Sequence, residues 1–273
     1  MREDILSLLL TFSSRSLLYR DRLSGRLGHL LGTFPLATSR LLIPGGSRSL
    51  SAVYVSAGEY APAFLICHGI GERVEYWATV QSLLESMGVS SLAINYSGYG
   101  ESSGCVSTAH CEEDAMAAYS ELVARGHRSI FLLGYSLGTG VVSAIASRID
   151  LDGMILCEGF STLREAGMAL GIPRWLTFVV PDVWQTIRRV CELEVPILVV
   201  HSDEDRLFPL SMATRVVEAC GRHGELIIAN GFTHNAPIFA PTRSYWQPVA
   251  EWAKRRSSEE VPAMRKLVRG EGL

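Results

Sequence analysis

Two stretches of the chain have the spacing of a serine nucleophile flanked by glycines, G-x-S-x-G. Gly134–Gly138 reads GYSLG, and Gly100–Gly104 reads GESSG. A serine that attacks a carbonyl carbon must lie on a sharp turn between a buried strand and a helix, where the flanking positions are small. The first stretch follows SIFLL and continues into TGVVSAIAS, whereas the second continues into further loop residues. The sequence therefore predicts Ser136 as the nucleophile and the second stretch as a glycine-rich turn.

The base and the acid that would activate this serine are expected downstream of Ser136. A serine hydroxyl is activated by a base, usually histidine, and a carboxylate orients that histidine. In one frequent order along the chain, the serine is followed by the acid and then by the histidine. Among the seven histidines His234 fits best, because GFTHN follows the last apolar strand-like run. The earlier segment HSDEDRLFP predicts Asp205 as the acid, with Asp203 second and Glu158 third.

Two backbone N–H groups should stabilise the oxyanion that forms when the serine attacks. The first is the N–H of Leu137, the residue after the nucleophile. The second is expected from the loop HGIG, which follows the apolar run Ala63–Cys67. We assign it to Ile70, with Gly69 as the alternative, because glycines in this loop keep side chains away from the substrate carbonyl.

The elements that must position these residues follow from the alternation of apolar runs and helical patterns. Strands are predicted at Leu41–Ile43, Leu50–Val55, Ala63–Cys67, Ser91–Tyr96, Ser129–Tyr135, Met154–Cys157, Pro196–His201 and Glu225–Ala229. Helices are predicted at Glu75–Met87, Ala109–Arg125, Gly138–Arg148, Leu210–Ala219 and Tyr245–Arg256. This pattern is typical of a mostly parallel sheet covered by helices on both faces. In such sheets ligands bind at the carboxyl ends of the strands, where the candidate residues lie.

Composition excludes several classes of protein. The chain has 273 residues, of which 48% are apolar and 19% charged, and this excludes an intrinsically disordered chain. The net charge of −3 argues against a nucleic-acid partner. The six cysteines form no metal-spaced pair, so we expect no metal, and nothing in the sequence implies another cofactor. Cysteines in apolar runs favour a reducing, cytoplasmic location.

The chain is divided into three parts by its composition. Residues 1–39 are predicted as an N-terminal helical extension, residues 40–256 as one α/β domain, and residues 257–273 as a charged C-terminal tail. Residues 1–40 contain six arginines and three acidic residues, with leucines at helix-like intervals. We expect these helices to pack on the core. The alternative is a basic amphipathic segment in peripheral contact with a membrane.

Five motifs in a fixed order give the chain its resemblance to a known family. They are HGIG at His68–Gly71, NYSGYGESSG at Asn95–Gly104, GYSLG at Gly134–Gly138, HSDEDRLFP at His201–Pro209 and GFTHN at Gly231–Asn235. The chain resembles the α/β-hydrolase superfamily, in particular the serine aminopeptidases, monoacylglycerol lipases and related short-cap esterases. The resemblance implies the eight-stranded α/β-hydrolase fold, a triad of Ser136, Asp205 and His234, and an oxyanion hole at Leu137 and Ile70. Asn95 and Ser202 depart from the family's common Asp and Gly at positions that perform no chemistry.

The family often carries a lid after the strand that ends here near Cys157. The corresponding segment, residues 158–194, is short and rich in aromatic residues. The resemblance therefore implies one or two short helices forming a small apolar cap, although the segment could also be a simple crossover. We assign substrate contacts to Trp175 and Phe178 in this segment, and to Tyr135 beside the nucleophile.

The expected function is that of a serine hydrolase acting on a small-molecule carboxylic ester or thioester with an apolar acyl group. The acyl-enzyme would form on Ser136 and be released by water, as in other serine hydrolases. An aminopeptidase-type amide hydrolase is the first alternative. A non-catalytic ligand-binding protein on the same fold is the second, because fold alone does not fix function.

Overall fold

A single eight-stranded sheet forms the centre of the computed structural model, which describes residues 38–180 and 183–259. The strands are β1 (Thr38–Gly45), β2 (Arg48–Val55), β3 (Ala63–Cys67), β4 (Ser90–Ile94), β5 (Ile130–Tyr135), β6 (Gly153–Cys157), β7 (Ile197–Ser202) and β8 (Gly224–Ala229). Their order across the sheet is β1-β2-β4-β3-β5-β6-β7-β8. β2 runs antiparallel to both of its neighbours, and all other adjacent strands are parallel.

Helices follow most of the strands. They are α1 (Ala78–Ser86), α2 (Thr108–Ala124), α3 (Leu137–Ile145), α4 (Leu163–Ala169), α5 (Thr186–Val190), α6 (Leu210–Ala219), α7 (Ala236–Phe239) and α8 (Arg243–Glu259). Short 3-10 helices lie at Val74–Trp77, Ala146–Arg148, Arg174–Val179 and Gly221–His223. The N-terminus of α2 is capped by a side chain. The Ser107 hydroxyl accepts a hydrogen bond from the His110 N–H there.

The sheet is buried on both faces, as its continuous apolar strands require. Every residue of the central strands β3 to β7 is buried. Side chains alternate between two hydrophobic clusters, so that Leu65 belongs to one cluster while Phe64 and Ile66 belong to the other. The predicted mostly parallel, eight-stranded α/β architecture is thus confirmed.

The boundaries of the predicted elements shift by a few residues at most in the core of the sheet. β3 and α6 have the predicted bounds, and β4 ends two residues earlier than predicted, at Ile94. β1 begins at Thr38, inside the segment predicted as an N-terminal extension. The rest of that segment, with its two predicted helices, lies outside the described residues. α8 continues to Glu259 and takes in the first residues of the predicted tail, whose remainder also lies outside the description.

Residues 158–196 connect β6 to β7 and contain α4, one 3-10 helix and α5. Residues 181 and 182 within this segment are outside the described ranges. Across residues 38–180 and 183–259, no helix has both the length and the apolar character needed to cross a membrane.

Candidate active site

Ser136 lies on a sharp turn between β5 and α3, with a backbone conformation that side-chain-bearing residues rarely adopt. Its φ is 50° and its ψ is −115°, and such strain costs about 1–3 kcal/mol. The turn is possible only because its flanking residues lack side chains. A Cβ on Gly138 would lie 1.8 Å from the carbonyl oxygen of Cys67, and one on Gly134 would lie 2.6 Å from the carbonyl oxygen of Gly138. The flanking glycines of the motif are therefore required by the backbone packing.

The loop after β8 brings His234 to Ser136. The His234 Nε2 lies 3.1 Å from the Ser136 Oγ, and the His234 Nδ1 lies 2.7 Å from the Asp205 Oδ2. The His234 ring is held edge-on against Phe208, with 5.3 Å between the ring centroids. Ser136, His234 and Asp205, which are 98 and 29 positions apart in successive pairs, thus form one hydrogen-bonded chain.

Asp205 is fixed by the loop that follows β7. Its Oδ1 accepts hydrogen bonds from the backbone N–H groups of Leu207 and Phe208, at 2.7 and 2.9 Å. Burial raises the pKa of the Asp205 carboxyl, but the hydrogen bonds from His234 and the two N–H groups outweigh it and leave the pKa below its ordinary value. An ionised Asp205 favours the His234 tautomer with its proton on Nδ1, so that Nε2 is free to accept the serine proton.

The runner-up acid and the second glycine-flanked serine have structural roles. The Asp203 Oδ1 accepts a hydrogen bond from the Gly231 N–H at 2.7 Å and ties two loops together. Ser102 is buried, and its hydroxyl donates to the carbonyl oxygen of Asn95 at 2.7 Å and accepts from the Ser51 N–H at 2.9 Å. Gly100–Gly104 is therefore a turn, as predicted.

Tyr135, predicted as a substrate contact, is placed beneath the site instead. Its side chain is fully buried and packs edge-on against Trp77. Its hydroxyl donates a hydrogen bond to the backbone carbonyl of His234. The prediction for Tyr135 is corrected for a simple reason. Tyr135 is the last residue of β5, and its side chain points to the face of the sheet where Trp77 packs.

The loop after β3 lies against the nucleophile. A Cβ on Gly69 would lie 3.2 Å from the Ser136 Cβ and 2.4 Å from the Glu72 Oε1, so this loop can approach only as glycine. The His68 Nδ1 donates to the Gly69 carbonyl at 2.8 Å, and burial lowers the pKa of His68 to about 4. The neutral His68 therefore braces the loop that contains Ile70, while Leu137 is the first residue of α3.

Glu72 is a buried acid at the site that the sequence reasoning did not single out. Its Oε2 accepts a hydrogen bond from the Trp77 Nε1 at 2.9 Å. Burial raises the pKa of Glu72 to about 7, although the Trp77 and Gly69 N–H groups and His234 act in the opposite direction. A charged residue directly after HGIG, next to predicted buried strands, was the signal that could have identified it.

The two predicted aromatic contacts of the cap lie at the surface. Trp175 and Phe178, on the 3-10 helix Arg174–Val179, are 75% and 58% exposed. These two side chains do not line an enclosed pocket, contrary to the small apolar cap that the resemblance implies. A cavity lined by Thr139, Phe160 and Val199, among others, has a volume of about 10 Å³, which is room for one water molecule.

One group of acidic and histidine side chains in the described ranges has its ligand atoms close enough together for a metal ion. An oxygen of Glu158, an oxygen of Asp205 and a ring nitrogen of His234 lie within 4.8 Å of one another. All three side chains are already engaged in hydrogen bonds. We therefore assign these three side chains to a hydrogen-bonded cluster.

A strand–turn–helix serine with a histidine and a carboxylate on neighbouring strand ends is the arrangement of an α/β-hydrolase fold. A family model for the alpha/beta hydrolase fold matches residues 62–178. An uncharacterized protein of Mycobacterium tuberculosis is 28% identical over 187 residues, covering 67% of this chain. The match spans 66% of that relative's length, just under two thirds.

Solved structures of hydrolases share the fold. An esterase of Pyrococcus furiosus matches with a TM-score of 0.65 and 17% identity, covering 85% of this chain and 94% of its own. A proline iminopeptidase of Mycobacterium smegmatis matches with a TM-score of 0.67 and 15% identity, covering 81% and 99%. The chain has the α/β-hydrolase fold. Its fold supports hydrolase activity in general, while similarities at these identities carry no information on the bond that is cleaved.

Proposed function

We propose that the protein is a serine hydrolase that cleaves a carboxylic ester or thioester through an acyl-enzyme on Ser136. The observation that carries the proposal is the chain of hydrogen bonds from Ser136 through His234 to Asp205, with distances of 3.1 and 2.7 Å. This is the arrangement in which a histidine can remove the proton from a serine hydroxyl and remain oriented by a carboxylate.

In the first half of the reaction, the Ser136 Oγ bonds to the substrate carbonyl carbon while the His234 Nε2 takes the hydroxyl proton. Asp205 stabilises the resulting imidazolium. The tetrahedral oxyanion accepts hydrogen bonds from the N–H groups of Leu137 and Ile70. When the oxyanion collapses, the bond to the leaving oxygen or sulfur breaks, and His234 returns its proton to that atom.

In the second half, water attacks the acyl-enzyme. His234 takes a proton from the water as its oxygen bonds to the acyl carbon, and the same N–H groups hold the new oxyanion. Collapse releases the acid and returns the proton to the Ser136 Oγ. The position of Leu137 at the start of α3 supports this assignment, because the N-terminus of a helix favours negative charge.

The proposed substrate is a small molecule with an apolar acyl group. Ser136 and His234 keep only 4% and 9% of their surfaces exposed, so the carbonyl would reach the serine through a narrow opening. The exposed Trp175 and Phe178 offer apolar surface on the segment that follows β6. Peripheral membrane contact through residues 1–40 remains part of the proposal, although residues 1–37 lie outside the described ranges.

Cleavage of aminopeptidase substrates is the competing proposal, and the fold of the iminopeptidase is the reason to test it. An α-amine would need a free carboxylate near the site. In the segment after β6, Glu158 accepts three hydrogen bonds, Glu165 binds Arg215 at 2.9 Å, and Glu192 lies within 4.0 Å of two arginines. Because these carboxylates are already engaged, we favour the ester or thioester.

The test is to compare p-nitrophenyl esters of increasing acyl length with alanine and proline arylamides. We expect turnover of the esters that Ser136→Ala abolishes and Ser102→Ala, at the second glycine-flanked serine, leaves in place. Thermal unfolding of both variants controls for folding. Equal ester turnover in folded Ser136→Ala would refute the acyl-enzyme, and arylamide turnover exceeding ester turnover would favour the aminopeptidase.

A further inference from the structure

A second buried carboxylate lies behind His234, at the end of the strand next to the one that leads to Asp205. Glu158 directly follows β6, is fully buried and has a φ of 49°. A positive φ on a glutamate is unfavourable and persists only where surrounding contacts over-determine it. One Glu158 oxygen lies within 4.8 Å of both an Asp205 oxygen and a His234 ring nitrogen. Together with Glu72, the site therefore contains three buried carboxyl groups near one histidine.

Three donors converge on the Glu158 carboxylate. Its Oε2 accepts from the Ser202 N–H at 3.0 Å, and its Oε1 accepts from the Ser202 hydroxyl at 2.7 Å and the Tyr245 hydroxyl at 2.8 Å. Burial is the largest effect and leaves the pKa of Glu158 above its ordinary value, although His201 and these three donors act in the opposite direction. All three hydrogen bonds are donated to Glu158, so each of them favours its ionised form.

His201 lies between the two carboxylates. Its Nε2 donates to the Phe208 carbonyl at 2.9 Å and lies 3.6 Å from the Asp205 Oδ2. Its Nδ1 lies 4.0 Å from the Glu158 Oε2, and within the described part of the chain it has no hydrogen-bond partner. The position of His201 links Glu158 to the loop that carries Asp205.

The other titratable groups around Glu158 carry no charge at neutral pH. They are Tyr135 on β5, Cys157 on β6 and Tyr245 on α8, and burial raises the pKa of each. The groups near Glu158 that can carry charge are therefore His201, His234 and Asp205. His234 also faces the buried carboxyl group of Glu72.

We propose that Glu158 is a positioning residue that shares with Asp205 the stabilisation of the His234 imidazolium. The inference rests on the proposed function, in which His234 gains a proton from Ser136. A negative charge within 4.8 Å of the ring favours that protonated form, and low solvent access keeps the interaction strong. Glu158 reaches the reacting atoms only through His234, so it acts on the base and not on the substrate.

The first experiment measures the pH dependence of ester kcat/KM in wild type and Glu158→Gln, with Glu192→Gln on the exposed side of the same segment as the control. Removing a nearby negative charge makes the protonated form of His234 less favourable, so the acid limb of the profile moves to lower pH, by about 0.5 pH unit or more. A glutamine that only disturbed packing would lower kcat at every pH without moving the limb, and that result would overturn the proposal.

The second experiment is a double-mutant cycle with Asp205→Asn. If the two carboxylates share one task, Glu158→Gln lowers kcat/KM by a larger factor in the Asp205→Asn background than in wild type. An equal factor in both backgrounds would contradict sharing. Should Glu158→Gln fail to fold, Glu158→Asp is the substitute variant. It keeps the negative charge but places it farther from His234, so it must move the acid limb in the same direction by a smaller amount.

A third measurement separates this inference from the proposed function. NMR titration of the His234 ring in Ser136→Ala needs no turnover. We expect Glu158→Gln to lower the His234 pKa in that background too, and an unchanged His234 pKa would refute the coupling. Failure of the proposed function would instead appear as ester turnover that persists in Ser136→Ala. That result does not depend on the outcome of the titration.

Discussion

Asp205→Asn is the substitution whose effect the hydrogen bonds define most sharply. The Asp205 Oδ1 accepts from the N–H groups of Leu207 and Phe208, so the asparagine oxygen must occupy that position. Its amide nitrogen then replaces the Oδ2 that lies 2.7 Å from the His234 Nδ1. A donor in that place forces Nδ1 to be the acceptor and puts the ring proton on Nε2, which faces the serine.

The size of the loss follows from the wrong tautomer. In the Ser-His-Asp template, the same exchange lowers kcat by about 10⁴-fold while the geometry stays intact. Glu158 remains within 4.8 Å in this protein. We therefore expect a smaller loss, about 10³-fold in kcat/KM, which is about 4 kcal/mol of transition-state stabilisation.

The assay is ester turnover at pH 8, with thermal unfolding to confirm that the variant is folded. Asp203→Asn is the matched control, because Asp203 lies two residues earlier and holds Gly231 without contact to the triad. We expect it to keep kcat/KM within about threefold of wild type, as a substitution away from the reacting groups should. An Asp205→Asn enzyme within tenfold of wild type, or an equal loss in Asp203→Asn, would contradict the role of Asp205 in orienting His234.

Three further substitutions test the supports of the site. Gly138→Ala places a Cβ 1.8 Å from the Cys67 carbonyl oxygen. We expect it to lower the free energy of unfolding by about 3 kcal/mol or more and to abolish turnover. A normal denaturation midpoint would contradict the close packing. Tyr135→Phe leaves the buried His234 carbonyl without its donor and should cost about 1–2 kcal/mol in urea denaturation, with unchanged stability as the adverse result. Glu72 has a folded pKa of about 7 against an ordinary 4.5, so its burial destabilises the folded state increasingly as pH rises from 4.5 to 7. Glu72→Gln removes that penalty, and its stability relative to wild type should rise by up to about 3 kcal/mol between pH 5 and pH 8; a pH-independent difference would argue against a buried ionisable Glu72.

The order of strands and helices could be predicted because hydrophobic patterning is local. Ala63–Cys67 is continuous and apolar, and it is a fully buried strand with those bounds. The glycines of GYSLG predicted a close turn, and their contacts with backbone carbonyl oxygens give the physical reason. The choice of Asp205 over Asp203 depended on the resemblance and on spacing. In the structure both carboxylates contact the loop after β8, but Asp205 contacts the His234 ring whereas Asp203 accepts from the Gly231 N–H.

Contacts between strand ends that are far apart along the chain could not be predicted from the sequence. The pairing of Glu158 with Ser202 and Tyr245 depends on β6, β7 and α8 lying side by side. The inward position of Tyr135 depends on its contacts with Trp77 and with the backbone carbonyl of His234, which are far away along the chain. The exposure of Trp175 likewise follows from how the segment after β6 folds, and its aromatic composition alone suggested a pocket.

The most direct test of the central claim is covalent labelling of the folded protein with a fluorophosphonate, followed by intact mass and peptide mapping. Activated serines react with this probe, and unactivated serines do not. We expect one adduct on the peptide that contains Ser136, absent in Ser136→Ala and retained in Ser102→Ala. No adduct on folded wild type, or an adduct that persists in Ser136→Ala, would contradict it.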